Sequence, residues 1–282
     1  MKSIVAVSGG IDSVVLLDML STKSHECIVA HVDHGMREES ADDAAFVARL
    51  AESYGCQYES TKLELGPGAS EDVARTARYE WLEEVRQRHG ADAIVTAHHQ
   101  DDVIETIIIN LIRGTGWRGV CSLRSTPTRL RPLLETSRQQ IVGYAIEHEL
   151  QWRDDTSNDD VRYLRNYIRH GIASRLSAEQ RSRLIGLYND QVRLAAEIDQ
   201  EVENLLPQLR THDGYSRYAL IMMPRGAFDE CLMGIVGQRL EKKICNQIRH
   251  FVCTGRINAQ YSWNVFQFRV SKRYLIVSTP DI

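Results

Sequence analysis

The sequence predicts a parallel α/β sheet covered by helices on both faces, followed by a small helical and mixed α+β C-terminal domain. Three observations lead there. Apolar runs and amphipathic helical stretches alternate through the first 110 residues, the signature of strand–helix–strand units. The most polar stretches of that half (SGG at 8–10, HVDHG at 31–35 and AHHQDD at 97–102) fall at the ends of those runs, where such sheets bind ligands. Beyond residue 112 the alternation stops and arginine-rich segments begin.

The elements follow in order. SIVAV (3–7) is a strand, and 11–20 a helix with apolar residues at 11, 14, 15, 16, 17, 19 and 20. CIVAHV (27–32) is the second strand. The helix over 40–55 starts at Ser40 and stops at Gly55, typical cap residues. Strand 57–65 leads through GPGAS into a helix over 70–88, capped by Ser70, with an apolar stripe at 73, 74, 77, 81, 82 and 85. Strand 91–99 and helix 101–112 complete the series. Residues 113–136 read as a loop, and 137–150 and 177–206 as helices. The tail contains a strand-like run at 218–223, a helix around 225–250 and strands at 261–271 and 273–279. This pattern predicts a domain over 1–175, a helical connector over 176–210 and a small domain over 211–282.

Composition narrows the class. The chain is 43% apolar and 26% charged, and no run approaches the eighteen apolar residues of a membrane span. MKSIVAV lacks the long apolar core of a secretory signal. The six cysteines (27, 56, 121, 231, 245 and 253) show no C-x-x-C spacing, which points to packed, reduced thiols of a cytoplasmic protein rather than a zinc or cluster site. The net charge of −4 hides an asymmetry. Residues 1–150 carry 15 basic and 23 acidic side chains, and residues 151–282 carry 19 and 15. Residues 112–138 and 162–183 each hold six arginines against one glutamate, local patches able to bind phosphates.

The richest stretch is AVSGGIDSVVLLDML (6–20). A strand, a glycine turn and a helix N-terminus make a phosphate cradle, because the unpaired amides and the helix dipole favour an anion. Ser8 and Ser13 add hydroxyls. The spacing matches neither G-x-x-x-x-G-K-[ST] nor G-x-G-x-x-G. It resembles the S-G-G-x-D-S loop of the PP-loop ATP pyrophosphatases, which cleave ATP between the α and β phosphates. The implied fold is Rossmann-like, of the adenine nucleotide α-hydrolase type.

Further motifs resemble those of the tRNA(Ile)-lysidine synthetases. They are HVDHGMR (31–37), ASEDVARTARYEWLEE (69–84) with Glu71, Arg75, Arg78 and Tyr79, AHHQDDVIETIIINLIRGTGWRG (97–119), RPLLETSRQQIVGYA (131–145) and WRDDTSNDDVRYLRNYIRH (152–170). The likeness covers residues 1–175. It implies that Ser8, Gly9, Gly10, Ile11, Asp12, Ser13, His31, Arg78 and His98 hold ATP, that Asp12 and Asp101 place Mg²⁺, and that Asp101, Asp102, Glu105, Arg113 and Arg165 carry the chemistry. The partners it implies are free L-lysine and tRNA(Ile) with a CAU anticodon, and the state a monomer or homodimer.

The residues themselves agree in part. Asp101, Asp102 and Glu105 have spacings that bring them near one helix face, where carboxylates can bind magnesium, neutralise an ammonium or accept a proton. His98 and His99 could be metal ligands with Asp102, but the resemblance implies a polar wall of the site instead, and His34 belongs with His31 on the same rim. Arg118, Arg124, Arg129, Arg131, Arg162 and Arg169 read as RNA-backbone contacts, and Trp117 and Tyr163 as base-stacking or core aromatics. A PP-loop tRNA thiolase, with Cys121 as its nucleophile, and a non-catalytic nucleotide-binding module are the alternatives. The region after 175 is short and matches the synthetases weakly.

Overall fold

The computed structural model describes residues 1–22, 25–33, 40–63, 71–153 and 164–279. Ser70, His34, Arg162 and Tyr163 lie outside the described residues, as do the side chains of Ser40 and Glu71. The chain divides into two compact units, residues 1–192 and 193–282.

The first unit alternates as expected: β1 (Lys2–Ala6), α1 (Ile11–Ser21), β2 (Glu26–Asp33), α2 (Ser40–Ser53), β3 (Gln57–Lys62), α3 (Glu71–Arg88), β4 (Ala93–Val95), α4 (Gln100–Ile112), α5 (Trp117–Val120), β5 (Arg129–Leu130), α6 (Arg138–Glu147) and α7 (Leu164–Gly171). The sheet order is β3-β2-β1-β4-β5 and every pairing is parallel. Ile4 pairs with Ile28 on one side and Ile94 on the other. Residues alternate between the two faces. Val5, Val7, Val29 and Val95 pack with Val15, Leu16, Val47 and Ile141 of α1, α2 and α6. Ile4, Ile28, Ala30 and Ile94 pack with Tyr79, Leu82 and Val85 of α3. Because both faces are covered, the strands are apolar at nearly every position. The chain winds outward from β1 to β3, then returns to place β4 on the other side of β1. The gap between β1 and β4 is therefore the topological switch point, the place such sheets bind ligands.

A buried polar knot ties α6 to α1. The Asp18 carboxylate accepts hydrogen bonds from the Tyr54 and Tyr144 hydroxyls, each at 2.7 Å, and His148 Nδ1 lies 3.6 Å away. Burial and Asp18 push the Tyr144 phenol up to about 12.

The strand expected over 91–99 is shorter than the sequence suggests. Only Ala93–Val95 is strand, because the polar residues that follow turn out of the ladder toward α4. The loop expected at 113–136 contains α5 and the edge strand β5.

After a 3₁₀ turn at Ala173–Arg175, α8 (Ala178–Leu209) leads to β6 (Arg210–Thr211), β7 (Gly214–Ser216), α9 (Arg217–Met222), α10 (Arg225–Val236), α11 (Lys242–Thr254), β8 (Gln260–Trp263), β9 (Phe266–Val270) and β10 (Tyr274–Ser278). The second unit's sheet runs β6-β7-β10-β9-β8 and is antiparallel. It packs Phe268, Val270 and Leu275 against Leu220, Phe228, Cys231, Ile248 and Val252 of the helices. Arg217 pins this unit internally, donating to the carbonyls of Val252, Ser271 and Gly255 at 2.8–2.9 Å.

Three expectations for this region are corrected. The run at 218–223 is mostly helix α9, because Ser216 caps it by accepting from Ala219 N, and short apolar runs do not by themselves distinguish strand from helix. The helix around 225–250 is two helices, since Gly237 takes φ +68° and ends α10. The strand over 261–271 is a hairpin whose turn begins at Asn264, φ +50°.

Candidate active site

The site begins where β1 ends. Gly9 has φ +94°, a backbone conformation that glycine adopts without strain, and the space a Cβ would fill there lies in ordinary contact with Phe46 and Val47. Gly10 is the N-cap of α1 and brings no capping side chain, so the first amides of α1, including those of Ile11 and Asp12, have no carbonyl within the helix to donate to. The serines shape the turn. Ser13 Oγ donates to Gly10 O at 2.8 Å and accepts from Ser8 N at 3.2 Å, with the two hydroxyls 3.3 Å apart. Arg153 N closes the loop on Gly9 O at 3.0 Å. The result is an anion cradle at a helix N-terminus.

Across the switch point, β4 delivers the second half. His99 is the N-cap of α4. Its Nδ1 accepts from Asp101 N at 3.2 Å, and its own amide donates to Asp102 Oδ2 at 2.9 Å. The ring is buried, and its Nε2 lies 3.9 Å from Asp12 Oδ2 and 3.7 Å from Asp102 Oδ2. His99 thus bridges the carboxylates of the cradle helix and of α4. Asp12 also meets Arg138. Burial opposes ionisation of Asp102, but His99, His98, the His99 amide and Arg165 outweigh it and hold its pKa below the ordinary value.

One helical turn on, Glu105 is fully buried, at 0% exposure. Arg169 of α7 grips it with Nε at 2.6 Å and Nη2 at 3.2 Å, while Arg165 Nε stands at 3.7 Å. Arg169 also lies 3.7 Å from Asp102 Oδ1. Burial raises the Glu105 pKa despite these partners. Spacing i, i+4 sets Arg165 and Arg169 on one face of α7, so a single helix supplies both cations.

The other sequence-derived candidates are placed as follows. Asp101 turns to Arg181, whose Nη1 lies 2.5 Å from its Oδ1. His31 is buried, and its Nδ1 donates to the Val7 carbonyl at 2.9 Å. His98 Nδ1 meets Thr96 Oγ1 at 2.8 Å. Burial keeps this imidazole neutral, with Asp102 opposing and Arg131, Arg75 and Arg78 reinforcing. Arg78 stacks over Tyr79. Arg113 is exposed at the C-cap of α4, eight residues beyond Glu105 and so about 12 Å along the helix. The structure therefore brings together Asp12, Asp102, Glu105 and Arg165 but leaves Arg113 apart from them.

Sequence reasoning missed Arg169, which it read as an RNA-backbone contact. It also missed Arg138 and Arg181, and placed His99 in the polar wall of the site without its bridging position between Asp12 and Asp102. The R-N-Y-I-R spacing was the available signal for Arg169. Arg131, also read as an RNA contact, is buried and donates to the Arg124 carbonyl. Arg118 stacks on the half-buried Trp117, 4.4 Å from the ring centroid. Cys121 is buried with its thiol toward the Arg118 carbonyl.

The donor set suits magnesium. Asp12 and Asp102 present carboxylates beside a phosphate cradle, and magnesium is held by one or two carboxylates together with substrate phosphates and water. No cluster of three His, Cys, Asp or Glu able to hold a metal occurs among the described residues.

A family model described as a PP-loop domain matches residues 1–176. The chain belongs to the PP-loop family. Its relatives include the tRNA(Ile)-lysidine synthases of Exiguobacterium sibiricum, 42% identical over 59% of this chain and 41% of that one, and of Novosphingobium aromaticivorans, 42% identical over 60% and 55%. That of Deinococcus deserti is 32% identical over 89% of this chain and 49% of that one. The chain thus spans about half the length of the curated relatives it matches. Among solved structures, a U34-tRNA thiolase from Methanococcus maripaludis matches with TM-score 0.57 at 20% identity, over 69% of this chain and 72% of that one. That likeness concerns the PP-loop fold alone. No helix among the described residues is long and apolar enough to cross a membrane.

Proposed function

We propose that this chain ligates free L-lysine to C2 of the wobble cytidine of tRNA(Ile) with a CAU anticodon, using ATP. The observation that carries the reading is the pairing, across the β1–β4 gap, of the Gly9–Gly10 cradle with the Asp102–Glu105–Arg165–Arg169 cluster around the buried Glu105. The relatives' names supply the substrate.

In the first step O2 of the cytidine attacks the α-phosphorus of ATP and pyrophosphate leaves. The first amides of α1 and the Ser8 and Ser13 hydroxyls receive that charge. Magnesium, when bound, neutralises the phosphates, with Asp12 and Asp102 as its protein ligands. In the second step the ε-amine of lysine attacks C2, and AMP departs with the former O2. A lysine ammonium must first lose a proton. Asp102 receives that cation and its proton, Glu105 holds Arg169 in place beside it, and Arg165 faces the phosphate of the adenylated base. A guanidinium that already bridges two carboxylates, Arg169, marks the site's preference for a cationic group.

Within this reading residues 1–175 catalyse, 176–210 connect and 211–282 contact the tRNA, in a cytoplasmic monomer or homodimer. A thiolase would need a reachable nucleophile, and the buried Cys121 is a poor one.

The test is transfer of radiolabelled lysine to a CAU-anticodon tRNA(Ile) transcript with ATP and Mg²⁺, with AMP measured in parallel. Equimolar RNA-bound lysine and AMP is the expected result. AMP without lysine would indicate a different nucleophile, and ATP binding without AMP would refute catalysis.

A further inference from the structure

Arg138 is the first residue of α6, and its placement calls for a reason outside that helix. A cation at a helix N-terminus opposes the helix dipole, and the first turn of α6 carries no acidic residue. The end of α6 is already served by a capping box, in which Ser137 Oγ accepts from Gln140 N and Gln140 Oε1 accepts from Ser137 N. The Arg138 side chain is 46% exposed and reaches instead to Oδ1 of Asp12, in the first turn of α1.

Helices α1 and α6 lie side by side and point the same way. Asp12 meets Arg138 and Asp18 meets Tyr144, and both pairs span 126 positions. On each helix the two contacts are six residues apart (12 to 18, 138 to 144), about 9 Å along the axis. Ile141 and Ala145 of α6 are buried in one cluster with Val15 and Leu16 of α1. The N-termini of the two helices therefore sit together at the Gly9–Gly10 cradle. His99, the N-cap of α4, stands 3.9 Å from the other Asp12 oxygen. Asp12 is thus flanked by Arg138 on one oxygen and by the α4 terminus on the other.

An ion pair this exposed contributes little to stability, but it fixes where the guanidinium stands. Asp12 also owns one of the first amides of α1, so Arg138 is one side chain away from a phosphate held there. A planar guanidinium with several donors matches phosphate oxygens well.

We infer that Arg138 is a substrate-binding residue of the cradle, gripping the β- and γ-phosphates of ATP and, after cleavage, the pyrophosphate they form. Asp12 holds its guanidinium at the cradle beforehand. The inference rests on the reading above that the cradle receives pyrophosphate.

The test compares the full chain with its Arg138→Gln variant by calorimetric titration of inorganic pyrophosphate and of AMP, each with Mg²⁺ and with EDTA. Pyrophosphate affinity should fall at least about tenfold in both conditions, the loss expected for a charge-assisted contact. AMP affinity should stay within about twofold, since AMP lacks the β- and γ-phosphates. Arg138→Lys, which keeps the charge and loses the fork, should recover part of the loss. The ligand-free melting temperature should not fall, because the exposed pair contributes little and the dipole of α6 is relieved. A loss seen only with Mg²⁺ would mean that Arg138 acts through Asp12, and overturns the inference. So does unchanged pyrophosphate affinity, an equal loss for AMP, or a collapse of the fold. No pyrophosphate binding by the unaltered chain would sink the cradle reading and this inference with it. Pyrophosphate binding without lysine transfer would sink the proposed reaction alone.

Discussion

Arg169→Met should destabilise the first unit by about 2–4 kcal/mol near pH 8, and by less in acid. The Glu105 carboxylate is wholly buried, and Arg169 supplies its two short contacts, at 2.6 and 3.2 Å. Removing one partner of a buried ion pair costs roughly 3–5 kcal/mol, because it strands the other charge. Two features lower that figure. The Arg169 side chain keeps 33% of its exposure, so solvent screens the pair, and Arg165 at 3.7 Å is a substitute partner.

The pH dependence has a definite sign. Burial already raises the Glu105 pKa, so between its unfolded and folded values the native state holds the extra proton and stability falls as pH rises. Without Arg169 the folded value rises further and the window widens upward. The penalty is then largest above that value and disappears below the ordinary glutamate value of about 4.3. Adding Glu105→Gln removes the stranded charge and should recover about half of the loss or more. Urea unfolding at pH 5 and pH 8, followed by tryptophan fluorescence, measures this. Trp81, Trp117 and Trp152 report the first unit and Trp263 the second. A loss below about 1 kcal/mol at pH 8, or a larger loss at pH 5 than at pH 8, would refute the reasoning.

Three further outcomes are expected. Asp102→Asn keeps an acceptor for the His99 amide, so lysine incorporation should vanish while the melting temperature moves by no more than a few degrees; a collapse of the fold would make Asp102 structural. Gly9→Ala should weaken binding of an ATP analogue at least tenfold and cost about 1–3 kcal/mol, since a side chain is strained at φ +94°; undiminished affinity would remove Gly9 from the cradle. Asp18→Ala leaves the Tyr54 and Tyr144 hydroxyls without their acceptor and should cost about 2–4 kcal/mol in urea unfolding, a loss under about 1 kcal/mol being the refuting result.

The legible parts of this protein were those governed by local rules. Alternating strands and helices, the glycine turn after β1 and the carboxylates at the start of α4 all express short-range periodicity or backbone preference, and the structure holds them where the pattern put them. The second unit was harder to read. Its short apolar run at 218–223 fits either helix or strand, and the helix is set by the Ser216 cap, with Leu220 in one buried cluster with Phe228 and Leu275. Within the site, arginines look alike in sequence. Arg169 and Arg131 read as surface contacts because nothing within a few residues of either reveals a buried carboxylate 64 positions away or an enclosing loop.

The amino-acid sequence alone determined the strand–helix order, the phosphate cradle and the family, because these depend on residues adjacent in the chain. Tertiary structure alone decided which charges meet. The crossover that sets β4 beside β1 brings His99 between Asp12 and Asp102, and the return of α7 delivers Arg165 and Arg169 to Glu105. Coulomb and desolvation energies depend on distance and burial rather than on sequence separation, so the pairing of those groups is a property of the fold.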